Sequence, residues 1–155
     1  MTSKRIEHVL SVLVGVAFLL VGAAKFTGQG PSFKYIEYQS GLEWVDPFLT
    51  LATGAGEVAA GLLLLVPTSR VPWARAAGSA LVLAIMLGAF ALHLSPWLGI
   101  STPTETVDGA EAPWTASDFA EERSSRQFIL SIALSALGAW LLARALPAVR
   151  NARNR

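Results

Sequence analysis

The chain contains no cysteine. This absence excludes disulfides, iron–sulfur clusters, thiolate-bound metals and the thiol-relay chemistry of quinone reductases that act through cysteine. Any redox function of the protein must therefore operate without a thiol.

Charged residues are also scarce, at 15% of the 155 residues, whereas 53% of the residues are hydrophobic. With a mean hydropathy of +0.50, the composition is too apolar for a soluble domain of this length and is typical of an integral membrane protein. The net charge of +1 gives no indication of a nucleic-acid partner.

Four apolar stretches are long enough to cross a hydrocarbon core of about 30 Å. We expect spans at about residues 7–26, 47–66, 72–95 and 118–146, with 127–145 as the membrane part of the last span. Outer loops at 27–46 and 96–117 connect them. The sequence therefore predicts one membrane domain with an all-α fold, an integral four-helix bundle.

Local signals place the ends of these spans. Asp46 followed by Pro47 is typical of a helix N-cap and first turn, and Ser117 predicts that the fourth helix starts well before its apolar part. Pro147 is expected to end that helix. Aromatic and charged residues in the first outer loop favour a short interfacial helix, whereas the second loop is expected to be exposed and irregular.

The distribution of basic residues predicts the orientation, because cytoplasmic loops carry an excess of Lys and Arg. The side of the termini holds eight basic residues and the other side four. These are Lys4, Arg5, Arg70, Arg75, Arg144, Arg150, Arg153 and Arg155 against Lys25, Lys34, Arg123 and Arg126. We therefore expect a multi-pass protein of a bacterial-type inner (plasma) membrane, with N and C termini cytoplasmic.

The two histidines, His8 and His93, fall on opposite sides of the predicted bilayer. They cannot ligate one haem or one metal ion together. A zinc or copper site with a single histidine would need several carboxylates, which the spans do not supply. We predict no metal site and no covalently bound cofactor.

Polar residues concentrate in the outer half of the predicted bundle. Glu57 lies near the midplane, an environment in which a charged side chain costs about 3 kcal/mol on insertion scales. Lys25, His93 and Gln127 lie within about one turn of the outer boundary. We expect the four side chains to share one outward-facing site under a lid formed by the aromatic loop 33–45.

Each of these residues also has a structural interpretation. Lys25 would extend to the interface, as long basic side chains do at helix ends. His93 would be solvated or hydrogen-bonded to Ser95 or to the loop that follows. Glu57 would be protonated and hydrogen-bonded to a serine of the fourth span, Ser131 or Ser135.

Small residues at helical spacing indicate which faces of the helices point inward. Gly54 and Gly61 share a stripe with Glu57, and Ser131 shares a stripe with Gln127. We assign ligand binding to five residues near the cluster: Gln127, Ser131, Gly54, Gly61 and Trp44.

Three segments of the spans together resemble the DoxX and DoxX-like membrane proteins. They read GVAFLLVGAAK at 15–25, GAGEVAAGLLLL at 54–65 and AFALH at 89–93. The resemblance covers nearly the whole chain apart from the two outer loops, and its most specific feature is the order of Lys25, Glu57 and His93 on successive spans. It implies a four-span bundle engaged in membrane redox work, since the name-giving members are small subunits of thiosulfate:quinone oxidoreductase.

Our first hypothesis is that the bundle binds a quinone or a similar lipophilic molecule. Glu57, His93 and Lys25 would be the catalytic residues, and a partner oxidoreductase would supply electrons. The estimated depths leave a gap of about 10 Å between Glu57 and the layer of Lys25 and His93. A ring-sized ligand or water would fill that gap.

The alternative hypothesis is a non-catalytic membrane subunit or assembly factor, in which the polar residues fix helix packing and the acidic segment 96–126 docks a periplasmic partner. Transport of a small solute is a third interpretation, but four spans with one carboxylate leave little room for a pathway. The small-residue faces would permit a homo-oligomer that provides more room.

Overall fold

A computed structural model describes residues 3–27, 31–106, 113–119 and 121–153 of the chain. The described part contains five α-helices. They are α1 (Ser3–Lys25), α2 (Pro31–Ser40), α3 (Val45–Leu65), α4 (Ala74–His93) and α5 (Arg126–Arg153). Two short strands, β1 (Thr102–Pro103) and β2 (Arg123–Ser124), pair antiparallel between α4 and α5.

Four of the helices, α1, α3, α4 and α5, are long and apolar enough to cross a membrane. This confirms the predicted all-α fold with four candidate spans. The remaining helix, α2, occupies the first predicted outer loop, as the composition of that loop indicates. The orientation of the termini in a membrane stays a prediction.

The spans pack in chain order, with α3 between α1 and α4, and α5 against α4. Because an even number of spans returns the chain to its starting side, the start of α1 and the end of α5 lie at one end of the bundle, the terminal end. The cap end holds α2 and the two strands. A common core joins all four spans through Val14, Phe18, Ala60, Leu64, Val82 and Leu141, although α1 and α5 touch only slightly.

The fourth span begins later than the sequence predicts. Residues Ala116–Asp118 form a 3-10 turn closed by reciprocal bonds between Thr115 and Asp118, rather than the first turn of a long helix. The chain then becomes extended at β2, and α5 starts only at Arg126. The start predicted at Ser117 is therefore wrong, because the capping residues there close a short turn.

Pro147 does not end the fourth helix. It lies inside α5, which continues to Arg153. Proline removes one backbone hydrogen bond of a helix. Pro147 is exposed near the terminal end of α5, where solvent or lipid headgroups can satisfy the carbonyl group that loses its partner.

The second outer loop is more ordered than expected. Leu98 of this loop is buried in a small second core with Tyr35, Ile36 and Val45. Phe119, predicted to lie in the fourth helix, is part of the same core. Strand β1 pairs with β2, with Thr102 opposite Ser124, and both residues of β1 are buried. Residues 107–112 of this loop lie outside the described residues. The cap end is thus a packed layer built on α2.

The start of α3 shows how α2 is fixed to the bundle. Trp44 rather than Asp46 is the N-cap residue, and its side chain makes no capping bond. The buried Glu37 of α2 instead accepts a hydrogen bond of 2.9 Å from the backbone N–H of Asp46. A carboxylate at a helix N-terminus satisfies a free donor and favours the helix dipole. The cap of α3 therefore comes from α2.

Candidate functional site

The central feature of the bundle is an ion pair between α1 and α3. Lys25 Nζ lies 2.6 Å from Glu57 Oε1, and the side chains are 19% and 5% exposed. A charge-assisted bond of this length inside an apolar bundle gives each charge a partner of opposite sign. Lys25 therefore points to Glu57 rather than to the interface.

The direct contact contradicts the predicted gap of about 10 Å between the two residues. That gap was estimated only from the depth of each residue along its helix axis. Gly54, one turn before Glu57, faces the Cβ of Lys25, so the two backbones are nearly level. Side chains on a helix also lean toward its N-terminus. In the antiparallel helices α1 and α3, this directs Lys25 toward the midplane and Glu57 toward the cap end.

Thr53 and Phe33 complete the surroundings of the ammonium group. Thr53 Oγ1 accepts a hydrogen bond of 3.2 Å from Lys25 Nζ and donates one of 2.6 Å to the carbonyl oxygen of Leu49. Phe33 of α2 places its ring centroid 5.5 Å from the same Nζ. Phe33 belongs to the predicted lid 33–45, whereas Thr53 was not predicted. Thr53 could have been found because it lies four positions before Glu57 on the same face.

The second carboxylate oxygen of Glu57 has an unusual environment. Glu57 Oε2 is buried and has no hydrogen-bond partner among the described residues. Ser131 and Ser135, its predicted partners, instead donate to carbonyl oxygens of their own helix. A buried acceptor without a partner is costly, so Oε2 is a place where an added donor would bind favourably.

Glycines bring α1 and α3 into close contact on both sides of the pair. A Cβ atom at Gly22 would lie 2.8 Å from the Gly54 carbonyl oxygen, and one at Gly61 would lie 2.7 Å from the Gly15 carbonyl oxygen. Backbones this close leave no space for a ring between the two helices. Gly54 and Gly61, predicted to bind ligand, lie in this helix contact.

His93 is buried at the end of α4, where its Nδ1 donates a hydrogen bond of 2.8 Å to the carbonyl oxygen of Gly99. Its ring meets the ring of Phe128 edge-on, with centroids 5.8 Å apart. Among the described residues, His93 makes no hydrogen bond to Lys25 or Glu57. Its observed contacts connect α4, the following loop and α5.

Gln127 and Trp44 also lie apart from the ion pair. Gln127 Oε1 accepts a hydrogen bond of 2.5 Å from Ser32 Oγ, which ties α5 to α2. Trp44 is 57% exposed and packs edge-on against Phe48. Of the four residues predicted to share one site, the structure brings together Lys25 and Glu57 by direct contact. Phe33, and not Trp44, covers Lys25.

A second ionic cluster lies at the terminal end. Glu7 of α1 accepts a hydrogen bond of 2.7 Å from Arg75 of α4 and lies 3.7 Å from Arg144 of α5. The sequence analysis used these arginines only to predict orientation. No local pattern pairs Glu7 with residues 68 and 137 positions away, so this cluster was not predictable from spacing alone.

Comparison with known protein families identifies the family of this chain. The family described as DoxX-like family matches residues 9–101, which is more than half of the chain and includes Lys25, Glu57 and His93. Neither the curated proteins nor the solved structures contain a significant match.

Proposed function

The chain belongs to the DoxX-like family, and from this premise and the geometry of the ion pair we propose that it binds a lipophilic small molecule of the quinone class. The polar edge of the ligand would contact Lys25 and Glu57 from the cap end of the bundle. The protein would act with a partner oxidoreductase in a bacterial-type plasma membrane, with both termini cytoplasmic.

The observation that carries the proposal is the unpartnered Oε2 of Glu57. Oε1 is already bonded to Lys25, so Oε2 offers one buried acceptor in an apolar setting. A quinol hydroxyl is a donor of the required kind, and the carbonyl oxygen of a quinone is an acceptor for the Lys25 ammonium group. The pair therefore suits both redox forms of one ligand.

The proposed position differs from the predicted one. A ring does not fit between α1 and α3, because the backbones at Gly22 and Gly54 nearly touch. Lys25 keeps 19% of its side chain exposed and lies beside Phe33. A ring that stacks on this aromatic side, above the ion pair, reaches the ammonium group without parting the helices.

Conversion of a quinone to a quinol takes two electrons and two protons. In our proposal the partner oxidoreductase supplies both electrons and the Lys25–Glu57 pair delivers one proton to the ligand oxygen. Water at the cap end supplies the second proton and reprotonates the pair. His93 donates a hydrogen bond from Nδ1 to the Gly99 carbonyl oxygen. We therefore propose that His93 positions the loop after α4 at the cap end. Direct ligand contacts by Gln127, Ser131 and Trp44 stay predictions.

Mass spectrometry of the small molecules that co-purify with the protein tests this function. We expect a quinone from the wild-type protein and a loss of about tenfold or more with Glu57→Gln, since a hydrogen bond to a charged group contributes about 1.5–3 kcal/mol. Glu43→Gln, an exposed substitution, is the control and should retain the ligand. Equal quinone content in wild type and Glu57→Gln would contradict the proposal.

A second function, that of a non-catalytic membrane subunit, is supported by the glycine contacts that surround the ion pair. In that case Lys25 and Glu57 serve only to join α1 to α3. The partner would bind the cap end, and cross-linking from the exposed Glu105 or Glu122 should then capture it. This function predicts partner capture without quinone co-purification.

A further inference from the structure

A pocket of about 200 Å³ opens on the cap end, between α2 and the segment that leads into α5. Its aromatic wall consists of Tyr35, Tyr38 and Phe119, whose ring centroids lie 5.2–6.1 Å apart. Gln39, Glu121 and Arg123 supply its polar groups. The ion pair between Lys25 and Glu57 does not line it, so this pocket is separate from the site proposed above.

Arg123 is held in place on this wall. Its guanidinium carbon lies 5.1 Å from the Tyr35 ring centroid, and its Nη1 donates a hydrogen bond of 3.1 Å to the Tyr35 hydroxyl oxygen. The Gln39 amide bonds the same oxygen at 3.0 Å. A guanidinium group has five N–H donors, so most of the donors on Arg123 remain available to an anionic oxygen.

The pocket carries two side chains of opposite charge. Glu121 and Arg123 both line it, yet within the described residues neither of them forms an ion pair. The pocket thus presents a cationic group and an anionic group beside an aromatic wall. Aromatic faces and a carboxylate attract an ammonium group, whereas a guanidinium group binds phosphate or carboxylate.

The volume limits the size of the ligand. Pockets for drug-sized ligands measure about 300–1,000 Å³, which is larger than this pocket of about 200 Å³. At a share of about 30 Å³ per water molecule in the liquid, the pocket matches a molecule with few heavy atoms. A quinone with its isoprenoid tail is too large to be enclosed here.

We propose that this pocket binds a small zwitterion, with its phosphate or carboxylate group on Arg123 and its ammonium group between Glu121 and the rings of Tyr38 and Phe119. The zwitterion is either a free solute or the headgroup of a phospholipid next to the cap. Both sources offer the same pair of charges at short separation.

Titration of the purified full-length protein with phosphocholine tests this assignment, with choline and inorganic phosphate as single-charge probes. We expect saturable binding of phosphocholine that is about tenfold or more weaker in Arg123→Gln and in Glu121→Gln, in line with the loss of one charge-assisted contact. Choline and phosphate alone should bind more weakly than phosphocholine. Absence of saturable phosphocholine binding, or equal binding of either single-charge probe, would overturn the proposal.

Glu122→Gln is the matched control, because Glu122 is an adjacent exposed acid that does not line the pocket. It should bind phosphocholine as the wild type does. An effect of Glu122→Gln equal to that of Glu121→Gln would overturn the assignment in favour of a general charge effect. Arg123→Gln also removes the bond to Tyr35, so Glu121→Gln, which removes no observed bond, keeps the test independent of folding.

Nanodiscs distinguish the two sources of the zwitterion. If the ligand is a lipid headgroup, phosphatidylcholine discs should compete and weaken the binding of free phosphocholine compared with phosphatidylglycerol discs. If the ligand is a free solute, the affinity should be the same in both, and either result supports a zwitterion pocket. Binding in either disc that Arg123→Gln leaves unchanged would contradict it.

Discussion

At the scale of single residues, the protein is defined by a lysine and a glutamate that stabilise each other inside a membrane helix pair. Glu57 alone would be a buried, unpaired charge, whereas Lys25 Nζ lies 2.6 Å from its Oε1. Removal of one partner from a buried pair is far more costly than replacement of both by apolar residues. Because of this asymmetry, comparison of single and double substitutions distinguishes the structural contribution of the pair from its proposed contact with ligand.

We therefore expect Lys25→Met to destabilise the protein by about 3–5 kcal/mol, because it leaves the Glu57 carboxylate buried without a cation. Thermal unfolding in nanodiscs would measure the effect. Lys34→Met, which removes a cation that lies 5.0 Å from the Trp114 ring at the cap end, is the control and should cost about 1 kcal/mol or less. Similar unfolding temperatures for the two variants would show that the pair is not important for stability.

His93 provides a second prediction at this scale. His93→Phe should keep the ring beside Phe128 but lose the bond from Nδ1 to the Gly99 carbonyl oxygen, a contribution of about 1 kcal/mol. We expect faster hydrogen exchange in the residues that follow α4, with little change in α1. If exchange is unchanged there and quinone binding is lost, His93 contacts the ligand rather than the cap.

At the scale of helices, close contact between α1 and α3 depends on glycine. The Cβ that an alanine would add at Gly61 meets a backbone carbonyl oxygen at 2.7 Å, whereas at Gly88 of α4 it would meet nothing within 4 Å. The same substitution on two spans should therefore have opposite effects. Close packing determines the effect at Gly61, whereas helix propensity determines the effect at Gly88.

Gly61→Ala should destabilise the bundle by about 1–3 kcal/mol, because it forces α1 and α3 apart. Gly88→Ala should be neutral or stabilising by up to about 1 kcal/mol, since alanine favours the helix. Unfolding temperatures of the two variants would provide the comparison. Destabilisation of both by the same amount would mean that the glycines contribute flexibility rather than close packing.

At the scale of the whole molecule, different contacts stabilise the two ends of the bundle. The cap end is held by α2, by the bond of Glu37 to the start of α3 and by a small aromatic core. At the terminal end, where α1 and α5 touch only slightly, Glu7 bonds Arg75 and lies near Arg144. The charges predicted to set orientation therefore also join three helices.

The absence of cysteine permits a direct test of orientation. A single cysteine at Ser101 in the cap, or at Arg70 between α3 and α4, would be the only thiol in the chain. Both positions are exposed. If the termini are cytoplasmic, a membrane-impermeant reagent applied to intact cells should label the first variant and not the second. The reverse pattern would show that the termini face outward.

The sequence was sufficient to predict the number of spans, because the apolar length that a bilayer requires is a strong signal. It also identified Glu57 as a central polar residue, since a carboxylate inside such a span is rare. The distance between Lys25 and Glu57 was predicted wrongly because axial depth ignores the direction in which helical side chains lean. That direction follows from the topology and could have been included.

Other features depended on tertiary contacts that have no local signature. Glu37 caps α3 from a different helix, and Arg123 meets Tyr35 across 88 positions of sequence. The irregular composition of the second outer loop concealed its buried Leu98, and the buried Phe119 was predicted to lie in the fourth helix. These residues make their contacts only after α2 packs against the bundle.

The double variant Lys25→Met/Glu57→Leu tests whether the ion pair binds quinone, with quinone affinity and thermal unfolding measured on the same sample. Replacement of both charges by apolar groups should restore most of the stability lost in Lys25→Met alone. We expect a folded protein that binds quinone about tenfold or more weakly than the wild type. A stable double variant with wild-type quinone affinity would show that the ion pair is a purely structural contact.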